Sequence, residues 1–326
     1  MTGRPWVHAV VAAGATAAGF VPDQSARRAD RLDVSGAELI EDPELRVHPV
    51  GPAAWHPRRA AFLDGIHQWQ VVAYDGIAPM VRGWVAAAVR RRGDDRRLRT
   101  AHERGYEVCL TFPDRLSGAV RAALDAAGVP LLAIPDEQWG PANALAGARI
   151  ALEAERVRAE RTVGELWAAA APADEWLIVD GVLSDHAVLT AQDRALGVVK
   201  SHGAQYFTGA PLELAVTLPA GHRTSVFRPA ARGSGAVFSW YLRLWPWEGN
   251  DLLYGLVRVE APARPAMVRR ADALSAWLLS ERVPLASPDP RWDRLLYPLH
   301  DVETYLRTRA PHDLRAPTSR LPARPA

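Results

Sequence analysis

Between residues 60 and 308 the chain alternates strand-like and helix-like runs of apolar and polar positions. Ala60 to Asp64 is a short apolar run ending at Asp-Gly. Trp69 to Asp75 and Arg82 to Val89 read as two further strands, with turns at Asp75-Gly76 and Arg82-Gly83. Three strands this early predict an antiparallel meander. Arg115 to Ala127 has helical spacing and stops at Gly128, and Val129 to Ile134 follows as a compact strand. From Asn143 to Ala170 the chain is rich in Ala, Glu, Arg and Leu without proline, which predicts one long helix closed by Pro172. Trp176 to Val179 is a buried strand running into Asp180-Gly181, and Leu196 to Val199 is another. Ala236 to Leu244 and Leu253 to Val259 are later strands, and Arg264 to Leu279 and Leu295 to Arg307 are closing helices. Residues 1–45 lack sustained periodicity and read as an N-terminal extension with one short helix. Residues 46–309 form the main domain, and the Pro- and Arg-rich stretch 310–326 reads as a frayed tail.

Composition narrows the class. Hydrophobic content of 48% with 23% charged residues describes a globular domain rather than a disordered or membrane-spanning chain. The one stretch resembling an address signal, Val7 to Phe20, is mostly Ala and Gly and carries His8, so its transfer energy is small. A single cysteine, Cys109, excludes an intramolecular disulfide and a thiolate metal site, which makes the cytoplasm the expected compartment. The net charge of +2 excludes a polycation that coats nucleic acid by charge alone. Of 39 basic residues only Lys200 is lysine. GC-rich codon usage accounts for the arginines but singles out Lys200, because a compact ammonium and a planar guanidinium are not interchangeable at a site. Arg90-Arg91-Arg92 and Arg96-Arg97-Arg99 are either a track for a DNA backbone or a solvated hairpin tip. Trp240 and Tyr241 point to opposite faces of one strand, so at most one can stack on a base and both suit a core. There is no internal repeat, no phosphate-binding Gly-Lys-Ser/Thr loop and no His-x-x-x-His pair, and Gly14 to Gly19 is only a small-residue run.

Candidate chemistry sits in two segments of one design, Phe62-Leu63-Asp64-Gly65 and Ile178-Val179-Asp180-Gly181. Each is an apolar strand whose last residue is aspartate, which places a carboxylate at the sheet rim beside a glycine that permits close approach. The long helix between them offers Glu153, Glu155, Glu160 and Glu165, and spacing does not choose among these. Two carboxylates about 4 Å apart repel by several kcal/mol at an effective dielectric near 20, so such a cluster calls for a divalent cation. All-oxygen ligation favours Mg²⁺ or Mn²⁺ over zinc.

The order of these elements resembles that of the NurA nucleases, a family with an RNase H-like fold. The series comprises Asp64-Gly65, the helix around Arg149 and Glu153, Asp180-Gly181-Val182-Leu183, Gly197 to Ser201, Ser239 to Leu244 and Gly255 to Glu260. The resemblance implies an α/β RNase H-like mixed sheet flanked by helices. It also implies Mn²⁺- or Mg²⁺-dependent exonuclease and single-strand endonuclease activity on DNA, a homodimer, and a hexameric HerA-type ATPase as partner. By the resemblance Asp64 and Asp180 are metal ligands, Glu153 near the helix start is the choice for the third, and Tyr297 and His300 stand for the family's closing Tyr and His, while Lys200 fits either a phosphate or transition-state contact or a solvated surface lysine. The chain departs from the family at Ile66, where the family has Ser. It also departs at His300, which follows Tyr297 by three residues where the family's His comes about two turns on, at the position of Tyr305. A catalytically weakened binding or scaffolding subunit of the same fold is the alternative expectation.

Overall fold

In the computed structural model, which describes residues 5–17, 33–141, 143–230, 235–282, 296–311 and 314, the apolar run from Ala60 does not end at Asp64. A single strand, β1, spans Arg59–Asp75 and pairs antiparallel with β2, Ala78–Arg92. The two strands expected at 60–64 and 69–75 are halves of this one element. The Asp75-Gly76 turn is present, with Gly76 at φ 58°, a left-handed conformation that costs glycine little. No turn forms at Arg82-Gly83. Both residues lie inside β2, where Arg82 is buried and paired with Glu107 at 2.6 Å. Continuous ladder pairing outweighs the local turn preference of a Gly-containing dipeptide. The predicted meander is completed by β3, Leu98–Thr111, a strand not read from the sequence.

The remaining elements follow the expected order with shifted ends. Helix α1 is Pro5–Ala12 and α2 is Gly118–Ala127, and the short β4 covers Leu131–Ala133 where Val129 to Ile134 was expected. The long helix α3 runs Ala144–Ala170, followed by β5, Glu175–Asp180, and β6, Ala195–Val199. Then come β7, Val237–Arg243, β8, Leu256–Pro262, α4, Pro265–Glu281, and α5, Tyr297–Arg309. The sheet order is β4-β3-β2-β1-β5-β6-β8-β7, extended by Phe227–Pro229 and Ala37–Leu39. β1, β5 and β6 are mutually parallel, whereas β8 pairs antiparallel with both β6 and β7. The chain is thus α/β with a large mixed sheet flanked by helices.

Helices cover both faces of the central strands, which is why those strands read as nearly continuous apolar runs. Along β1 and β5 the side chains alternate: Phe62 and Ile178 pack with Trp277 and Leu299 on one side. Leu63 and Val179 pack with Val163 and Trp167 of α3 on the other. Each fully buried side chain of this size contributes roughly 2 kcal/mol. Trp240 and Tyr241 are both buried, in different clusters. The residues before 46 add to the same body: Trp6, Val7 and Val10 of α1 pack on Val72 and Met80, and Thr16–Ala17 pairs with β1. The end of the Val7 to Phe20 stretch and most of the tail from 310 lie outside the described residues. Among the described residues no helix is long and apolar enough to cross a membrane.

Much of the arginine content is internal carpentry. Arg90 bonds Asp301 of α5, Arg92 grips Glu281 of α4 at 2.8 and 2.6 Å, and Arg91 reaches the fully buried Glu175. The first half of the basic run therefore ties the end of β2 to its neighbours while staying partly exposed, by 14% at Arg90, 37% at Arg91 and 29% at Arg92. Only the segment around Gly93 to Arg97 is a hairpin tip, and there Arg99 pairs with Asp95 at 2.7 Å.

Candidate metal centre

Asp180 closes β5, and because β5 pairs with β1 only through Leu63, Asp64 lies just past the end of that parallel ladder. Asp64 is mid-strand on β1 rather than at a strand end, yet it reaches the rim because its parallel neighbour stops there. Lys200 follows β6 directly, two positions beyond Val198, the register partner of Asp180. From the opposite layer α3 crosses Gly65 so closely that Glu160 occupies the space where a side chain would stand. These residues line one open cleft of about 420 Å³, together with Glu153, Arg156, Asp185, His186 and, from α5, Glu303.

Burial and like charge dominate the electrostatics. Asp64 is 6% exposed, and burial, reinforced by the Asp180 carboxylate, holds it well above the usual carboxylate range. Glu160 is 3% exposed, and burial pushes it up to about 8 although Arg156 draws it down. Such carboxylates are poorly solvated and gain from a cation. Two side chains supply positive charge. Lys200 Nζ donates to Asp180 Oδ2 at 2.5 Å, and Arg156 bonds Glu160 while gripping Glu153 with Nη2 at 2.5 Å and Nε at 3.1 Å. An all-oxygen set containing two desolvated acids suits Mg²⁺ or Mn²⁺.

Of the sequence-predicted site residues, Asp64, Asp180 and Lys200 converge. Glu153 lines the same cleft; it is half-exposed and beside His67 at 3.3 Å, and although burial raises it, its bonds to Arg156 hold it below the usual carboxylate range. Glu160, two turns or about 10 Å further along the same helix face, is the glutamate seated against Gly65. Glu155 is turned toward β3, where Tyr106 donates to it at 2.7 Å, and Glu165 is exposed. Tyr297 is exposed and neither it nor His300 lines the cleft; one turn after His300, Glu303 does. Tyr305 donates to Glu103 on β3 at 2.6 Å instead. The α5 residue facing the cleft is thus an acid that the Tyr-to-His spacing does not indicate. Glu303, Arg156 and His186 were all missed in the sequence, having no motif of their own.

Among the described residues, Glu41, Asp42 and His48 form a second acidic group with ligand atoms within 4.8 Å of one another. These side chains are committed elsewhere: Glu41 grips the buried Arg223 at 2.7 and 2.8 Å, and Asp42 accepts from Ser225 at 2.7 Å. The cleft carboxylates are not gathered that tightly. No protein-family model and no curated protein matches the sequence.

Proposed function

We propose that this protein is a Mn²⁺- or Mg²⁺-dependent deoxyribonuclease with an RNase H-like core, similar to the NurA nucleases. The observation that carries this reading is the meeting of Asp64, Glu160 and Asp180 in one cleft, two of them buried. Strand order supports it as well. Three antiparallel strands, a long helix and two strands parallel to the first, in the order β3-β2-β1-β5-β6, make the frame in which an RNase H-like fold assembles its acids.

Asp64, Glu160 and Asp180 would hold the metal, and Glu303 adds negative charge at the same rim. The metal supplies Lewis acidity for hydrolysis of a phosphodiester. Lys200, a point charge bonded to Asp180, would meet a substrate phosphate. The NurA-like reading brings with it a homodimer and a hexameric HerA-type ATPase that feeds DNA to the nuclease. The test is hydrolysis of single- and double-stranded DNA by purified protein with Mn²⁺, compared with Asp64→Ala and Asp180→Ala. Both variants should stay folded, because losing either acid relieves repulsion, and both should be inactive. Equal cleavage by either variant would refute the assignment.

One observation favours a second reading, a non-catalytic scaffolding member of the fold. Lys200 and Arg156 already neutralise two of the three acids. A thermal shift separates the two readings: millimolar Mn²⁺ stabilises a metal-binding protein by mass action and leaves a scaffold unmoved.

A further inference from the structure

Arg156 stands in the cleft where its cation and an incoming metal would compete. Its side chain is 19% exposed, and its guanidinium is divided between two glutamates of its own helix. Nη2 and Nε are given to Glu153, while Nη1 alone is given to Glu160. Glu160 has little choice of partner, being 4% exposed at its side chain and boxed in by the backbone of Gly65. The Glu160 oxygen that lies against Gly65, Oε1, is the one that accepts from Nη1, so a cation drawn to that oxygen must share it with the guanidinium or displace it. Glu153 sits two turns away along α3 and is not drawn into that exchange, so it keeps its hold on the other two nitrogens.

We infer that Arg156 is a resident counter-cation of the metal-free site that exchanges Glu160 for a substrate phosphate when divalent metal enters. Nη1 is released into a cleft that Asp64, Asp180 and Lys200 also line, and a guanidinium held by two of its nitrogens presents the third as a preoriented phosphate donor. Glu153 is then a positioning residue: it touches neither metal nor substrate and aims Arg156. The arrangement also keeps the buried Glu160 carboxyl partnered before metal arrives. This role rests on the metal-dependent nuclease reading.

The experiment measures two quantities on wild-type protein and on Arg156→Gln. One is the Mn²⁺ dissociation constant by calorimetry, without DNA, and the other is single-turnover cleavage of single-stranded DNA at saturating Mn²⁺. Arg156→Gln should bind Mn²⁺ about tenfold more tightly, because a competing positive charge is gone. It should nevertheless cleave at least about a hundredfold more slowly, as expected for a lost charged transition-state contact. Arg156→Lys, which cannot serve both glutamates at once, should fall between the two on each measure and substitutes if the glutamine variant fails to fold. Unchanged or weaker Mn²⁺ binding would make Arg156 a helix staple, and wild-type cleavage would remove it from the substrate; either result overturns the inference alone. A wild-type protein that binds no Mn²⁺ overturns the inference together with the nuclease reading.

Discussion

A Cβ built on Gly65 would lie 2.5 Å from Oε1 and 2.8 Å from Cγ of Glu160, so the bare backbone of β1 is the seat of the helix carboxylate. Gly65→Ala should therefore displace Glu160 rather than strain the strand. We expect a loss of about 1–3 kcal/mol from overpacking and a Mn²⁺ affinity reduced by at least about tenfold. Calorimetry and denaturant unfolding check both. Wild-type metal affinity in Gly65→Ala would mean that Glu160 is not a ligand.

The elevated proton affinity of Glu160 has a measurable sign. Burial raises its pKa in the folded state to about 8, from the ordinary glutamate value of 4.5. Between these values the folded protein binds the extra proton, so metal-free stability falls as pH rises through that window. Asp64, raised for the same reason, acts in the same direction. His186, lowered to about 4 by burial, opposes them only below the ordinary histidine value of 6.5. Denaturant unfolding in EDTA from pH 7 to pH 8.5 should show declining stability, with a shallower slope in Glu160→Gln. A wild-type slope of zero or of opposite sign would contradict the burial argument.

The arginines divide into buried and exposed classes with different consequences. Glu175 is fully buried, accepts from Trp167 Nε1 at 2.8 Å and from Arg91, and anchors the first residue of β5. Glu175→Ala should cost about 2 kcal/mol, chiefly because the buried Trp167 indole N–H is left without its acceptor, the Arg91 partner being partly exposed. Arg99→Ala, in the exposed hairpin pair with Asp95, should leave the unfolding midpoint unchanged. Equal effects from the two substitutions would overturn this division.

Legibility in the sequence followed the range of the interactions involved. The long helix, the strands before Asp180 and Lys200 and the closing helices were readable because each carries its own local pattern. β3 was not, since LRTAHERGYEVCLT mixes charged residues into a strand whose first part is largely exposed. Asp64 and Asp180 stood out because each follows an apolar run, although Asp64 turned out to owe its rim position to the end of β5. The choice between Glu153 and Glu160 was not available from spacing: both lie on one face of α3, and only the point where that helix crosses Gly65 separates them. Glu303 was hidden for a similar reason, because the rotation of α5 about its axis is set by packing of Leu299, Val302 and Leu306 in the core.

The most direct measurement is the initial rate of cleavage of an end-labelled single-stranded oligonucleotide, titrated with Mn²⁺, for wild type, Glu160→Gln and Glu153→Gln. Wild-type protein should cleave only with metal and stop on adding EDTA. Glu160→Gln should lose at least about a thousandfold, equivalent to roughly 4 kcal/mol of transition-state stabilisation. Glu153→Gln should retain more activity than Glu160→Gln and an unaltered Mn²⁺ midpoint. No metal-dependent cleavage by wild type, or equal activity of wild type and Glu160→Gln, would contradict a metal-dependent nuclease built on Asp64, Glu160 and Asp180.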